Sequence, residues 1–360
     1  MAEVSGGGPR TRVAMVLTAS TGGIGRHAAS VAPRLVGRGL DVAVCAPELT
    51  LEAHDLGVPT TPLSTRSLAR AVRGADVVHA HGYKAAALAL PHARVHRVPL
   101  VVTWHNAVLG EGRTATAGRL LQRLVARGAD VVLAASEDLL DTALALGARE
   151  AELAPVAAPA LAPPRTGREE RRAGLRLAAH DVLVLTVTRL APQKNLDLLL
   201  DVAARTRDRS DLAYALVGAG PLHDELARRV TAEALRVSLV GPTDDVASWL
   251  HAADLGLLPS RWEARALVAQ EALLAGLPLV ATRVGGVPGL VGDAAVLVDP
   301  DDPDGTAAAV LALVDDADAR RALADAGLRQ AATWPDEDDV ADDLVRVYRH
   351  VLAGRGRTAP

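Results

Sequence analysis

Phenylalanine is absent from this 360-residue chain, and cysteine occurs only at position 45. A single cysteine excludes an intrachain disulfide, which is typical of proteins from a reducing compartment. No apolar run reaches the roughly 18 residues that a membrane-spanning helix requires. The first twelve residues are rich in Gly and Pro and lack the apolar core of a signal peptide. These absences predict a cytoplasmic protein without a transmembrane segment, with peripheral attachment to a membrane as the alternative.

The net charge of −4 does not favour binding to nucleic acid, whose phosphates attract basic surfaces. The charge is unevenly distributed along the chain. Residues 1–165 contain 17 Lys and Arg against 13 Asp and Glu, whereas residues 166–360 contain 22 against 30. The first part is therefore net positive and the second net negative, which predicts an anionic partner for the first part.

Short Val- and Leu-rich runs alternate with helical patterns along the whole chain. Strands that are apolar throughout are typical of parallel, doubly wound sheets, because helices cover both faces of such a sheet. The strand candidates are 12–18, 40–46, 77–80, 100–103, 131–134, 182–187, 213–217, 237–240, 255–258, 279–281 and 295–298. The helix candidates are 24–36, 84–90, 117–127, 196–204, 222–230, 246–251, 266–275, 306–314 and 338–352.

A proline-rich segment, residues 154–164, separates the two series of strands and helices. Four prolines in eleven residues are typical of a stiff linker. Together with the chain length, this segment predicts two α/β domains, residues 1–160 and 161–335, followed by a last helical region, residues 336–360.

Two carboxylates, Glu263 and Glu271, lie where a predicted strand ends and a predicted helix begins. The start of a helix carries unpaired N–H groups and the positive end of the helix dipole, which suit a phosphate. Carboxylates accept hydrogen bonds from hydroxyl groups, which suit ribose and sugar rings. This one segment could therefore bind a phosphate and two polyols.

Two cations, Arg189 and Lys194, follow the first predicted strand of the second domain. Five residues apart across a turn, they could converge on one diphosphate, Arg through its planar fork and Lys as a point charge. The alternative is a pair of solvated surface cations.

The segment around the two glutamates resembles the Glu-x7-Glu motif of retaining glycosyltransferases of family 4. The resemblance extends to Pro259-Ser-Arg before the motif, to Gly276-Leu-Pro after it, and to Arg189-x4-Lys194. It implies a GT-B architecture, in which two Rossmann-like parallel-sheet domains face a central cleft and a C-terminal helix crosses back to the first domain. The chain departs from the usual Glu-Gly-Phe-Gly with Glu263-Ala-Arg-Ala266. This departure bears on the donor sugar.

The resemblance implies roles for residues of the second domain. Arg189 and Lys194 would neutralise the diphosphate, Glu271 would bind ribose, and Glu263 would bind hydroxyl groups of the donor sugar. The remaining donor-binding positions are the N–H groups of Leu267 and Val268 at the helix start and Gly241 near the nucleobase.

Further candidates follow strands of the first domain. The glycine-rich run from Ser20 to His27, with Gly22 and Gly23, resembles the family's Gly-Gly-x-x-x-His loop, which faces the donor diphosphate and sugar; a tight structural turn is the alternative. His105 follows a predicted strand, and ligands bind outside the carboxyl ends of such strands. It also resembles the family's histidine that contacts the donor sugar. His81 is a second cleft candidate, whereas His79 could simply satisfy backbone groups.

Neither a metal nor a cofactor is expected. No Asp-x-Asp pair follows a predicted strand, so a divalent-metal clamp on a diphosphate is not indicated. The His79-x-His81 pair could suggest zinc, but no Cys, Asp or Glu nearby in the sequence completes a ligand set. The full Gly-x-Gly-x-x-Gly pattern of a dinucleotide site is also missing.

The sequence is therefore identified as a retaining, metal-independent hexosyl- or related glycosyltransferase with a nucleotide diphosphate sugar as co-substrate. A non-catalytic protein that binds sugar nucleotides, and a nucleotide-sugar isomerase or hydrolase on the same fold, are the alternatives. The first domain would supply the acceptor side and the second the donor side.

One predicted helix bears on the acceptor. Arg119, Arg123 and Arg127 lie at four-residue spacing, with Leu120, Leu121, Leu124 and Val125 beside them. Such a helix could rest on an anionic membrane. The alternative is an ordinary helix that packs its leucines on the sheet and solvates a basic edge.

Overall fold

Alternating strands and helices run from Arg12 to the C-terminal helix. The computed structural model describes residues 10–20, 22–110, 112–157 and 160–356. The strands are β1 Arg12–Leu17, β2 Asp41–Ala46, β3 Thr60–Pro62, β4 Val77–His81, β5 Leu100–Trp104, β6 Val131–Ala134, β7 Ala151–Leu153, β8 Val182–Val187, β9 Leu212–Val217, β10 Val237–Gly241, β11 Leu255–Leu258, β12 Leu279–Thr282 and β13 Val296–Val298.

The helices separate these strands. They are α1 Gly23–Gly37, α2 Glu48–Ala53, α3 Thr65–Gly74, α4 Tyr83–His96, α5 Arg113–Gly128, α6 Glu137–Ala145, α7 Arg168–Gly174, α8 Leu196–Arg205, α9 His223–Ala232, α10 Val246–Ala252, α11 Leu267–Leu274, α12 Val287–Val291, α13 Pro303–Asp315, α14 Ala317–Ala331 and α15 Glu337–Gly356.

The chain divides into two compact units, which we call unit 1 (residues 1–159 and 335–360) and unit 2 (residues 160–334). Unit 1 contains a seven-stranded sheet of order β3-β2-β1-β4-β5-β6-β7, and unit 2 a six-stranded sheet of order β10-β9-β8-β11-β12-β13. Every strand pair is parallel. The inner strands are buried along nearly their whole length, as their Val, Leu and Ala content predicts.

Helix α15 belongs to unit 1. Its apolar face, which includes Val340, Leu344 and Tyr348, joins the core formed by β1 and α1. Arg38, which directly follows α1, pairs with Asp338 at 3.1 Å and with Asp342 at 2.5 Å. The last helix therefore completes the first sheet's core rather than continuing unit 2.

The structure adds elements that periodicity did not indicate, among them α2, α3, α6, α7 and α14. It also extends α4 through Pro91 to His96, beyond the expected end at residue 90. Proline lacks the N–H that would donate to the carbonyl one turn earlier in the helix. Pro91 is exposed, so a water molecule can donate to that carbonyl instead. Among the described residues, no helix is both long and apolar enough to cross a membrane.

Candidate active site

The sheet of unit 2 reverses its strand order between β8 and β11, which are neighbours in space. At such a switch point the loops after the two strands diverge and leave a crevice at the carboxyl edge, where ligands of α/β sheets bind. The loop after β8 carries Arg189 and Lys194, and the segment after β11 carries Glu263. The topology therefore brings these two segments together.

Lys194 and Glu263 form an ion pair at this edge. Lys194 Nζ donates to Glu263 Oε1 at 2.5 Å, and Ser260 Oγ donates to the same oxygen at 2.7 Å. Glu263 is buried and the Lys194 side chain is only one-fifth exposed. An ammonium group has three donors, so Lys194 retains two N–H groups for another acceptor.

The loop that carries Lys194 is fixed on both sides. Asn195 has a left-handed backbone (φ 49°), a conformation that Asn tolerates better than most residues, and its side-chain amide donates to the carbonyl of Pro300 at 3.0 Å. Gln193 donates to the carbonyl of Trp262 at 2.9 Å and accepts from the N–H of Arg261 at 2.9 Å. These bonds hold Lys194 against the Glu263 segment, whereas Arg189 is exposed.

Two glycines of the Gly218-Ala-Gly220 turn support the same loop. A Cβ on Gly218 would lie 1.8 Å from the carbonyl oxygen of Thr188, and one on Gly220 would lie 2.3 Å from that of Leu190. Gly218 also has a positive φ of 144°. Only glycine therefore lets this turn pack against the backbone on either side of Arg189.

A third glycine holds the backbone of Glu263. The carbonyl of Glu263 accepts from the N–H of Gly286 at 2.9 Å, and a Cβ on Gly285 would lie 2.1 Å from that carbonyl oxygen. The Gly285-Gly286 turn thus supports the backbone of the candidate carboxylate. Thr282 adds a bond from its hydroxyl to the carbonyl of Ser260 at 2.6 Å.

Glu271 lies on α11 and is buried. Leu267 and Val268 form the first turn of this helix, where N–H groups have no carbonyl one turn earlier to accept them. The expected arrangement, in which one carboxylate precedes the helix and the other lies within it, is therefore present.

The sequence departure at residues 264–266 has a structural basis. Ala264 and Ala266 are buried, and the Arg265 guanidinium lies 5.6 Å from the centre of the Trp334 ring. Its Nε donates to Gln270 Oε1 at 3.3 Å, while Nη2 is buried without a hydrogen-bond partner among the described residues. Burial lowers the pKa of Arg265 to about 10. Arg265 thus occupies an aromatic environment instead of extending into solvent.

In unit 1, four histidines from three segments meet around the carboxyl ends of β4 and β5: His79 and His81 lie on β4, His27 lies on α1, and His105 directly follows β5. His81 Nδ1 and His105 Nε2 share a hydrogen bond of 3.2 Å, and their rings stack with centres 5.5 Å apart. The ring of His27, on α1, lies 5.5 Å from His81 and 5.4 Å from His105. His79 bonds to Tyr348 of α15 and to Thr103, both at 2.7 Å.

All four histidines are buried, and burial keeps their rings neutral. Desolvation lowers the pKa of His27 to about 4. Desolvation, followed by the charge of His27, lowers the pKa of His79 to about 3. The pKa values of His81 and His105 are also well below the ordinary value, mainly because burial disfavours their charged forms.

One ring nitrogen from each of His27, His81 and His105 lies within 4.8 Å of the others, so the described residues contain one group that could hold a transition metal. His81 Nε2 is buried without a hydrogen-bond partner among them. This group was not predicted from the sequence, because His27 is distant from His81 and His105 along the chain and no Cys, Asp or Glu near His79 and His81 completes a ligand set. His27 lies on α1, at the end of the glycine-rich run. That run was the only feature of the sequence that could have pointed to His27 as a third ligand.

Within the glycine-rich turn, Thr21 lies outside the described residues. Gly22 precedes α1 and Gly23 begins it, and a Cβ on Gly22 would meet no atom within 4 Å. At Gly25, in contrast, a Cβ would lie 2.2 Å from His54 Nε2. The His54 ring therefore packs closely against Gly25, whereas the space at Gly22 is open. In unit 2, Gly241 ends β10 with a φ of 86°, and its carbonyl accepts from Gly218 N–H at 2.8 Å.

Two family models match the chain. The model described as a glycosyl transferase 4-like domain matches residues 22–159, and the one described as glycosyl transferases group 1 matches residues 181–316. D-inositol 3-phosphate glycosyltransferase 1 of Catenulispora acidiphila is 35% identical over 322 residues, which cover 81% of this chain and 77% of that protein. A glycogen synthase of Mycobacterium tuberculosis is 30% identical over 302 residues, which cover 79% and 70%.

Solved structures share the fold. HepE of Anabaena in complex with UDP-glucose has a TM-score of 0.83 at 20% identity, covering 95% of this chain and all of that one. A sucrose-phosphate synthase of Thermosynechococcus elongatus has a TM-score of 0.76 at 20% identity, covering 96% of this chain and all of that one. The predicted architecture of two Rossmann-like parallel-sheet units is confirmed.

Proposed function

Because this chain belongs to the group 1 glycosyltransferases, we propose that it transfers a hexosyl or related sugar from a nucleoside diphosphate sugar to an anionic acceptor, with retention of configuration and without a metal ion. The observation that carries the proposal is the Lys194–Glu263 pair at the switch point of unit 2, next to the first turn of α11. A cation, a sugar-binding carboxylate and free helix N–H groups together suit a nucleotide sugar.

The chemical step in this proposal separates the diphosphate from the sugar. Negative charge grows on the leaving phosphate, and donors that are already fixed in place stabilise it without rearranging. Arg189 and Lys194 supply cations, and the N–H groups of Leu267 and Val268 supply dipoles. Lys194 is pre-positioned by Glu263 and keeps donors available for phosphate oxygens.

Glu271 would hold the ribose hydroxyls, Glu263 the hydroxyls of the donor sugar, and Gly241 the nucleobase region. Among unit 1 residues, His105 would offer a ring nitrogen to a sugar hydroxyl, His81 would hold that ring in place through their shared bond, and Gly22 and Gly23 would leave backbone N–H groups accessible. Retention would follow from attack on the same face as the departing phosphate, assisted by that phosphate.

The acceptor is assigned to the N-terminal part of unit 1 on the basis of charge, since the C-terminal segment of that unit, residues 335–360, is itself net negative. Residues 1–165 are net positive, and the names of several relatives specify D-inositol 3-phosphate, a phosphorylated polyol. An anionic acceptor is consistent with both observations.

A panel of nucleoside diphosphate sugars, scored by release of the nucleoside diphosphate in the presence of phosphorylated polyols, tests the function. We expect release with at least one donor and a product with the donor's anomeric configuration by NMR. A free altered sugar would instead indicate an isomerase or hydrolase, and tight donor binding without turnover would indicate a binding protein.

The same assay in excess EDTA should give unchanged rates, because Arg189 and Lys194 replace a metal clamp. Loss of activity that Mg²⁺, Mn²⁺ or Zn²⁺ restores would contradict metal independence.

The two glutamates should have separable effects. Glu271→Ala is expected to weaken binding of the free nucleoside diphosphate by about 1.5–3 kcal/mol, the scale of a hydrogen bond to a charged group. Glu263→Gln keeps an acceptor for Ser260 and Lys194, so affinity should stay within a few-fold while turnover with the sugar donor falls. Calorimetry with the nucleotide and steady-state kinetics separate the two. Equal losses of nucleotide affinity would contradict the assigned roles.

A further inference from the structure

Helices α4 and α5 expose large apolar side chains to solvent. Leu88 and Val95 of α4 are 48% and 76% exposed, and Leu120 and Leu124 of α5 are 63% and 49% exposed. The sequence also allowed α5 to pack its leucines on the sheet. The structure instead buries Ala115, Gln122, Val125 and Ala126 there and directs Leu120 and Leu124 outward.

The two helices form one surface. They pack side by side as successive crossovers between β4, β5 and β6, so they cover the same face of the sheet. At their junction a Cβ on Gly128 would lie 2.7 Å from Leu90 and 3.2 Å from Arg94, which shows how closely the end of α5 approaches α4. We call the outward side of both helices the α4–α5 surface; it comprises Leu88, Val95, Leu120 and Leu124 with the neighbouring arginines.

The α4–α5 surface is strongly basic. Residues 83–128 contain seven Lys and Arg against one acidic residue. Arg119 and Arg127 bond only to backbone carbonyls and a threonine hydroxyl within the described part of the chain, and Arg123 is exposed. Elsewhere arginines are commonly neutralised: Arg229, for example, contacts Asp197, Asp201 and Glu233. Within the residues that the structure describes, no ion pair therefore compensates the arginines of this surface.

A cavity of about 240 Å³ adjoins the same helices and is lined by Arg94, Arg97 and Arg149. No carboxylate of the described residues forms an ion pair with any of these three arginines. Asp130 also lines the cavity, and its carboxylate accepts from the N–H of Leu100 at 2.8 Å. Three guanidinium groups around a small cavity suit a phosphate group.

We propose that the α4–α5 surface docks on an anionic lipid bilayer, with its leucines and valine in the headgroup region, its arginines on lipid phosphates, and a headgroup phosphate in the Arg94–Arg97–Arg149 cavity. Apolar side chains flanked by arginines on one helix face are the pattern by which amphipathic helices lie on membranes. Juxtaposed arginines add electrostatic attraction to anionic lipids. This inference does not depend on the transfer reaction.

Vesicle co-sedimentation at low salt tests the docking without any sugar donor. Wild-type protein is expected to bind phosphatidylglycerol vesicles and not phosphatidylcholine vesicles. Changing Arg119, Arg123 and Arg127 together to Ser should weaken binding about hundred-fold, since each contributes about five-fold near an anionic surface. Leu120→Ser with Leu124→Ser should weaken it by about ten-fold or more, because two apolar side chains would no longer leave water.

Matched controls separate the surface from net charge. Arg207, Arg228 and Arg329, three exposed arginines of unit 2, changed together to Ser remove the same charge and should leave vesicle binding unchanged; so should Leu49→Ser on α2. All substituted positions are exposed, so melting curves should match wild type. Wild-type protein that ignores anionic vesicles, or variants that bind like wild type, would overturn the proposal. Inorganic phosphate that binds in calorimetry, and no longer binds when Arg94, Arg97 and Arg149 are changed together to Ser, while wild-type protein ignores anionic vesicles, would reassign the cavity to a free anion.

Discussion

Replacing Lys194 by Ala is expected to lower kcat/KM with the sugar donor by about 10²–10³-fold, the loss measured when one fixed donor to a developing negative charge is removed. The ammonium is held at 2.5 Å from Glu263 in a partly buried environment, so water cannot reproduce its position. The substitution also leaves the buried Glu263 carboxylate with the Ser260 hydroxyl as its side-chain donor. Most of the loss should appear in kcat, because charge on the phosphate grows in the transition state.

The chain offers a close control for this experiment. Lys84 is the only other lysine among 39 Lys and Arg residues, and it is exposed on α4 in unit 1. Lys84→Ala removes the same charge and should leave kcat/KM within about two-fold, since surface charges of this kind contribute little. A Lys194→Ala enzyme that retains wild-type kcat would refute the proposed role in leaving-group stabilisation.

Acidification from pH 7.5 to pH 5 is expected to destabilise unit 1 strongly. Histidine titrates near pH 6.5 when unfolded, whereas the folded pKa values of His27 and His79 are about 4 and about 3. Between these limits the unfolded state binds the protons, so stability is fully present above pH 6.5 and is lost as the pH falls towards the folded values. At pH 5 each of these two should contribute about 2 kcal/mol of destabilisation, and His81 and His105 act in the same direction.

Hydrogen exchange in urea, measured separately on peptides from the two units in EDTA, checks this expectation. The urea midpoint of β4 and β5 in unit 1 should fall steeply between pH 6.5 and pH 5. The midpoint of unit 2, whose His180, His223 and His251 are all exposed, should change little. His79→Gln removes one titrating ring and should flatten the pH dependence of unit 1. Midpoints that move in parallel in both units would show that the four histidines do not control acid stability.

The rarity of lysine in this chain is a further feature that singles out Lys194. With 37 arginines and two lysines, the chain uses arginine for nearly every cation, and one of the two lysines lies at the candidate diphosphate site. A compact ammonium with three freely oriented donors fits beside Glu263 and Ser260, where a planar guanidinium would require more room. The retention of lysine at position 194 is thus consistent with a specific role.

The sequence by itself determined the fold class and the local placement of the unit 2 candidates. Apolar strands that alternate with helices are compatible with few arrangements other than parallel sheets. A helix that begins after a strand presents the free N–H groups of its own first turn, whatever its tertiary contacts. Lys194, Glu263 and Glu271 could therefore be selected from residue type and position together with the resemblance to the motifs of family 4 glycosyltransferases. Short or weakly periodic elements such as α6 and β7 were not predicted, because neighbouring elements stabilise them more than their own pattern does.

Tertiary structure alone decided the pairings between distant residues. The Lys194–Glu263 ion pair joins positions 69 residues apart, and Tyr348 reaches His79 across 269 residues. It also decided that His27 completes the histidine group and that Leu120 and Leu124 face solvent. A helical pattern shows which side chains share a face, but only the packed neighbours determine which face is covered. The chemistry of single segments was therefore readable from the sequence, whereas the partners of each side chain depended on the order of strands in the sheets.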